Sequence, residues 1–132
     1  MKIFHFAVPI FDYQIALVYG ELPRFRSWLA RNKIADADGE YDGLTIHPPA
    51  TSAILVFLKS DLEEKRKHAI IYHESLHAAN YIFNDLSIKQ DTDSDEGTAM
   101  MQTYIADKII SRTGKKHDDN GEARRKNQEN GS

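Results

Sequence analysis

The residues best equipped for chemistry are His73, Glu74 and His77, which stand together in the run HESLH. Histidines four apart lie on one face of a helix, one turn above each other, so both imidazoles reach a single divalent ion. Glu74 sits about 100° further round. From there a carboxylate stands beside the ion without ligating it, and can hold a metal-bound water and take its proton. The chain has no cysteine, so any metal must be held by histidine and carboxylate. Catalytic zinc takes three protein ligands and keeps a fourth position for water, so a third ligand must come from elsewhere in the chain.

HESLH is the H-E-x-x-H pattern of zinc hydrolases. A second helical pattern, TDSDEGTAMMQTYIADKII, follows, with Glu96 near its start and 18 residues, Ala78 to Asp95, between His77 and Glu96. H-E-x-x-H and then Glu at that distance on a following helix resembles the gluzincin metallopeptidases, the aminopeptidase-like members in particular. Their third-ligand helix often reads N-E-G or N-E-A, where this chain has Asp95-Glu96-Gly97. The resemblance covers residues 52 to 112. The four short N-terminal strands and the charged tail are also similar to small H-E-x-x-H proteins encoded by bacteriophages.

The resemblance implies Zn2+ held by His73, His77 and Glu96, with Glu74 as the base that activates water for attack on a peptide or protein substrate. Zinc brings the pKa of its water toward ~7, so hydroxide becomes available at neutral pH. The developing oxyanion needs a second donor, for which Tyr104, Tyr81 and His68 are candidates; Tyr104 lies on a helix flank that can face the site. Gluzincins usually carry an aspartate four residues after the third ligand, bracing a metal-bound histidine. This chain has Met100 there, leaving Asp95, Asp107 or a backbone carbonyl for that part. In the family a strand shortly before the active-site helix holds extended substrate, and by position that strand is Ser52 to Lys59. The competing class is a zinc-binding structural or interaction protein without catalysis, and a third reading takes the histidines as ordinary polar residues without metal.

The elements that must position these residues are legible in outline. Residues 2 to 8 and 13 to 19 are rich in Ile, Phe, Val and Tyr and read as a strand pair. Pro23 opens a short helix, Leu22 to Arg31, with Leu22, Phe25, Trp28 and Leu29 on one face and arginines on a solvated face. Residues 35 to 43, ADADGEYDG, read as a mobile surface loop. Leu44 to His47 and Thr51 to Lys59 are two further strands, the second holding the longest apolar run, SAILVFLK. Ser60 and Glu63 form an S-x-x-E capping box for a helix running to about Asn84. Ala69, Tyr72, Leu76, Ala79 and Phe83 make its core stripe, which leaves the histidines at the stripe's edge. Asp93 and Glu96 are the cap region of the next helix, which runs to about Arg112.

The 132 residues therefore read as one α+β domain over 1–114, with about four strands packed on the histidine helix and the third-ligand helix. The segment 115–132 has almost nothing apolar and is expected to be a disordered charged tail. A net charge of −3 gives no pull toward nucleic acid or anionic membrane. His5, Pro9 and Asp12 interrupt the N-terminal apolar run, so it reads as strands rather than a signal peptide, and no run is long enough to span a membrane. A cytoplasmic protein is expected, and the lack of cysteine suits a reducing compartment.

Overall fold

The computed structural model describes residues 1–9, 11–48, 53–86 and 92–114, with backbone alone over 92–95. Its architecture is α+β, a four-stranded mixed sheet with helices on both faces. The elements run β1 (Lys2–Val8), β2 (Tyr13–Gly20), α1 (Leu22–Arg31), β3 (Gly43–Ile46), β4 (Ala53–Lys59), α2 (Glu64–Asp85) and α3 (Thr92–Thr113).

The expected β1–β2 hairpin is present, antiparallel from Lys2↔Tyr19 to Val8↔Tyr13. Asp12 takes up a left-handed backbone at φ 56° in its turn, a conformation aspartate tolerates better than most residues. The chain then crosses over through α1 and returns in β4, which lies parallel to β2, with Gln14 opposite Ala53 and Gly20 opposite Lys59. β3 pairs antiparallel with β4 on the far side, so the sheet order is β1-β2-β4-β3.

Period-two alternation divides β4 between two cores. Ile54, Val56 and Leu58 face α2 and α3 together with Phe6, Val8, Ile15 and Leu17. Leu55 and Phe57 face α1, where Phe57 stacks on Phe25 with centroids 4.2 Å apart. Burial on both sides explains why this strand is an uninterrupted apolar run. It also places β4 in the sheet interior, with Leu55 to Leu58 paired on both edges, so that stretch does not serve as a substrate-holding edge; β3 is the edge strand on that side, and Ser52 lies outside the described residues.

Three local expectations are corrected. The start of α2 is not an S-x-x-E box: Ser60 N donates to Gly20 O, and Glu63 is itself the N-cap, its carboxylate accepting from Arg66 N at 3.1 Å. The 35–43 loop is tied to α1, with Arg26 3.0 Å from Asp36 and the Tyr41 hydroxyl donating to the same carboxylate at 2.5 Å. The buried side of α2 runs through Lys67, Ile71, Glu74, Ser75, Ala78, Ala79, Ile82 and Phe83, whereas Tyr72 and Leu76 are exposed. The true stripe is rotated from the expected one because α2 must cover the sheet as well as α3. The tail 115–132, the 49–52 turn and the Asp91 part of the helix link lie outside the described residues.

α3 returns antiparallel along α2. Near one end Phe83 lies against Gly97, and near the other the buried Lys67 ammonium donates to Thr113 O at 2.6 Å. Ile105, Ala106 and Ile109 complete this layer of the core.

Candidate metal and hydrolytic site

α2 carries the site. His73 and His77 are exposed, their rings 4.6 Å apart at 82°, and their Nε2 atoms face each other at 3.1 Å. Two Zn–N bonds of ~2.0–2.1 Å at a tetrahedral angle would hold their nitrogens about 3.3 Å apart. The spacing seen is within a few tenths of an ångström of that, so the two imidazoles suit one divalent ion.

Glu74 turns inward, beneath β3, and is 6% exposed. Thr45 donates its hydroxyl to Glu74 Oε1 at 2.7 Å and lies 3.1 Å from the Glu74 carbonyl oxygen. A glycine makes room for this carboxylate. A Cβ on Gly43 would fall 2.5 Å from Ile70 Cγ2, 3.0 Å from Glu74 Cγ and 3.2 Å from Glu74 Oε2. Neither Thr45 nor Gly43 stands out in the sequence, because their roles depend on β3 crossing above α2.

The phase of β3 follows from one bond. Lys59 N donates to Asp42 O at 2.9 Å, so this pair is the hydrogen-bonded kind, and antiparallel alternation bonds Leu44 and Ile46 to β4. The N–H and C=O groups of Gly43 and Thr45 are therefore directed away from β4, toward the outer edge of β3.

The i+4 progression from His73 and His77 continues to Tyr81 and Asp85, and all four drift round one side of α2. Tyr81 packs on His47 with centroids 5.5 Å apart, and His47 Nε2 is 3.4 Å from Asp85 Oδ2. The Tyr13 hydroxyl donates to the same carboxylate oxygen. Burial, reinforced by that hydrogen bond and the negative charge of Asp85, pushes the Tyr13 phenol up to about 12. Sequence reasoning missed this cluster, although the four-residue spacing was there to find it.

Glu96 is not brought to the histidines. Among the described residues no group of three His, Asp or Glu side chains is placed to hold a metal. Glu96 is exposed and shares an outer surface of α3 with Met100, Thr103, Tyr104 and Asp107. The reason is the length of α2, which continues two turns past His77 before the chain reverses. With Phe83 abreast of Gly97 and Lys67 abreast of Thr113, the α3 residues level with the histidines fall near Thr103 and Asp107, well beyond Glu96. Asp107 does not join the pair either.

The other expected residues divide. The Tyr104 hydroxyl donates to Ala7 O at 3.2 Å, so it is engaged on the β1 side rather than at the histidines. His68 is exposed beside Glu64, 3.4 Å away. Tyr81 alone among the three oxyanion candidates lies on the histidine side of α2. No known family model, curated protein or solved structure matches the chain. Among the described residues, no helix is long and apolar enough to cross a membrane.

Proposed function

We propose that the protein is a zinc-dependent peptide hydrolase of minimal size, with His73 and His77 as metal ligands and Glu74 as the general base. The observation that supports it most is the 3.1 Å approach of two exposed imidazole nitrogens one residue away from a buried, hydrogen-bonded carboxylate. When bound, zinc would supply Lewis acidity and acidify water. The chain's own residues would do the rest. β3 would offer the Gly43 and Thr45 peptide groups to an extended substrate, Glu74 would take a proton through Oε2, and Tyr81, one turn beyond His77, would serve as a donor. The cytoplasmic setting expected from the sequence belongs to the same proposal.

The position of Glu96 favours a second reading, a zinc-binding structural or interaction protein without catalysis, because two convergent protein ligands are one fewer than catalytic zinc usually has. Zinc content of protein purified without added metal, followed by digestion of a broad peptide library, separates the two. Hydrolysis by the wild type, lost in Glu74→Gln with zinc retained, supports the hydrolase. Zinc bound equally by both proteins with no cleavage by either supports the scaffold. Protein without zinc overturns both readings.

A further inference from the structure

We propose that the outer edge of β1 is a docking strand for an extended acidic peptide, which adds to the sheet beside Ile3 and His5. Neither the histidine pair nor Glu74 takes part. Ser60 N donates to Gly20 O on the β4 side of β2, where Gly20 is paired with Lys59. Backbone groups alternate in direction along a strand, so Gln14, Ala16 and Val18 turn to β4 as well, and Tyr13, Ile15, Leu17 and Tyr19 turn to β1. Their partners Val8, Phe6, Phe4 and Lys2 are then the bonded residues of β1, which leaves the peptide groups of Ile3, His5 and Ala7 directed outward. A second bond gives the same phase, because the Tyr104 hydroxyl donates from α3 to Ala7 O at 3.2 Å. Tyr104 closes the edge at Ala7, and the N–H and C=O groups of Ile3 and His5 remain for an incoming chain.

The cleft along this edge is lined by Lys2, Ile3, Phe4, His5 and Arg112. Consecutive strand residues point to opposite faces of a sheet, so a cleft touched by Lys2 through His5 follows the backbone edge rather than either face. Lys2, Ile3 and His5 are exposed and Phe4 is half-buried. The chemistry of the occupant follows from its neighbours. Ile3 and His5 each present a donor and an acceptor, which another extended peptide matches, whereas a phosphate group has no donor for the two C=O groups. The charged lining is basic on a chain whose net charge is −3, and no carboxylate lines the cleft among the described residues, which favours an acidic partner. A second copy would set Lys2, His5 and Arg112 of one chain along those of the other, and like charges oppose that pairing. Phe4 packs on the α2–α3 side of the sheet, the face that Lys2 shares by alternation. An antiparallel chain therefore places an apolar residue opposite Phe4 and, two positions later, a carboxylate opposite Lys2 and toward Arg112.

The test uses the full chain and the fluorescently labelled peptide acetyl-Thr-Val-Thr-Glu-Thr-amide, whose valine lies opposite Phe4 and whose central threonine pairs with Ile3. Saturable binding is expected by fluorescence polarisation below about 1 mM, with amide exchange at Ile3 and His5 slowed about fivefold or more at saturation. N-methylation of the central threonine removes the donor to Ile3 O and should weaken binding about tenfold or more, while N-methylation of the valine, whose N–H points away from β1, should change it by less than about threefold. Exchanging the peptide glutamate for lysine should weaken binding about tenfold, and so should Arg112→Glu; Arg112→Gln, with a loss of about threefold, replaces it if that variant does not fold. No saturable binding below about 1 mM, or equal losses from the two N-methylated peptides, overturns strand addition at this edge. Unchanged affinity of the lysine peptide overturns the acidic class of partner. Protection of the Ile3 and His5 amides that grows with protein concentration, without peptide, makes a second copy the occupant and overturns the proposal.

Discussion

Glu74 is a carboxylate placed where charge is costly, under a sheet strand and almost out of water. Burying an ionised group costs several kcal/mol unless hydrogen bonds offset it, and Thr45 supplies that bond. Gly43→Ala tests how tightly the carboxylate is seated. The added methyl meets Ile70 and Glu74 at once, so stability should fall by about 1–3 kcal/mol in urea unfolding, the usual cost of overpacking. Ser75 presents the opposite case on the same helix. It is fully buried, its hydroxyl has no hydrogen-bond partner among the described residues, and Ser75→Ala should therefore gain about 1 kcal/mol in the same measurement. At this scale the histidines and Glu74 were legible as a trio because their spacing is a property of one helix. Thr45, Gly43 and His47 were not, since each acquires its role from β3 lying across α2.

α2 shows how an element can be read correctly as a helix and wrongly as a surface. Its expected stripe through Tyr72 and Leu76 assumes one apolar face, but Ile71, Ala78 and Ile82 are buried in the core that α2 shares with the sheet and α3, and Phe83 lies against Gly97. The buried arc is therefore wide, and it includes Lys67, whose ammonium lies 5.4 Å from the centroid of the Tyr19 ring and closes the last turn of α3 at Thr113. Lys67→Met keeps the stem and loses that bond, which should cost about 1.5–3 kcal/mol and raise hydrogen exchange selectively in the last turn of α3. The same antiparallel packing governs Glu96. Spacing in sequence put it 18 residues after His77, but the two extra turns of α2 carry the start of α3 away from the histidines. Glu96→Gln is therefore expected to change zinc affinity by less than about threefold, while His77→Ala should lower it by about 100-fold or more. Competition with a chromophoric chelator measures both, and a large loss in Glu96→Gln would restore it as a ligand.

For the whole molecule, the strand pair, the α1 face and the apolar β4 run were legible because alternation and turn residues are local. The order β1-β2-β4-β3 was not, since the parallel β2–β4 pairing is made between strands separated by a helix and a loop. That order brings the end of β3, the start of β2 and the last turn of α2 together at His47, Tyr13 and Asp85. Asp85 stands at a helix C-terminus, where the dipole disfavours a negative charge, so its partners from the sheet matter to how α2 is seated. Tyr13 joins this cluster as a neutral donor, and its phenol titrates at about 12 in the folded chain, above the ordinary value near 10. The sign follows from proton linkage. A folded-state value raised above the unfolded one stabilises fully below pH 10, and the contribution disappears as pH climbs from 10 toward 12, because the unfolded chain loses the proton first. Tyr13→Phe lacks the group and so lacks that slope. Urea midpoints measured at intervals from pH 7 to pH 11.5 should show the wild type more stable than Tyr13→Phe up to pH 10, with the gap narrowing above it. A gap that stays constant through pH 11.5 would mean that the phenol does not hold Asp85 as a neutral donor, and that the three elements are joined by packing alone.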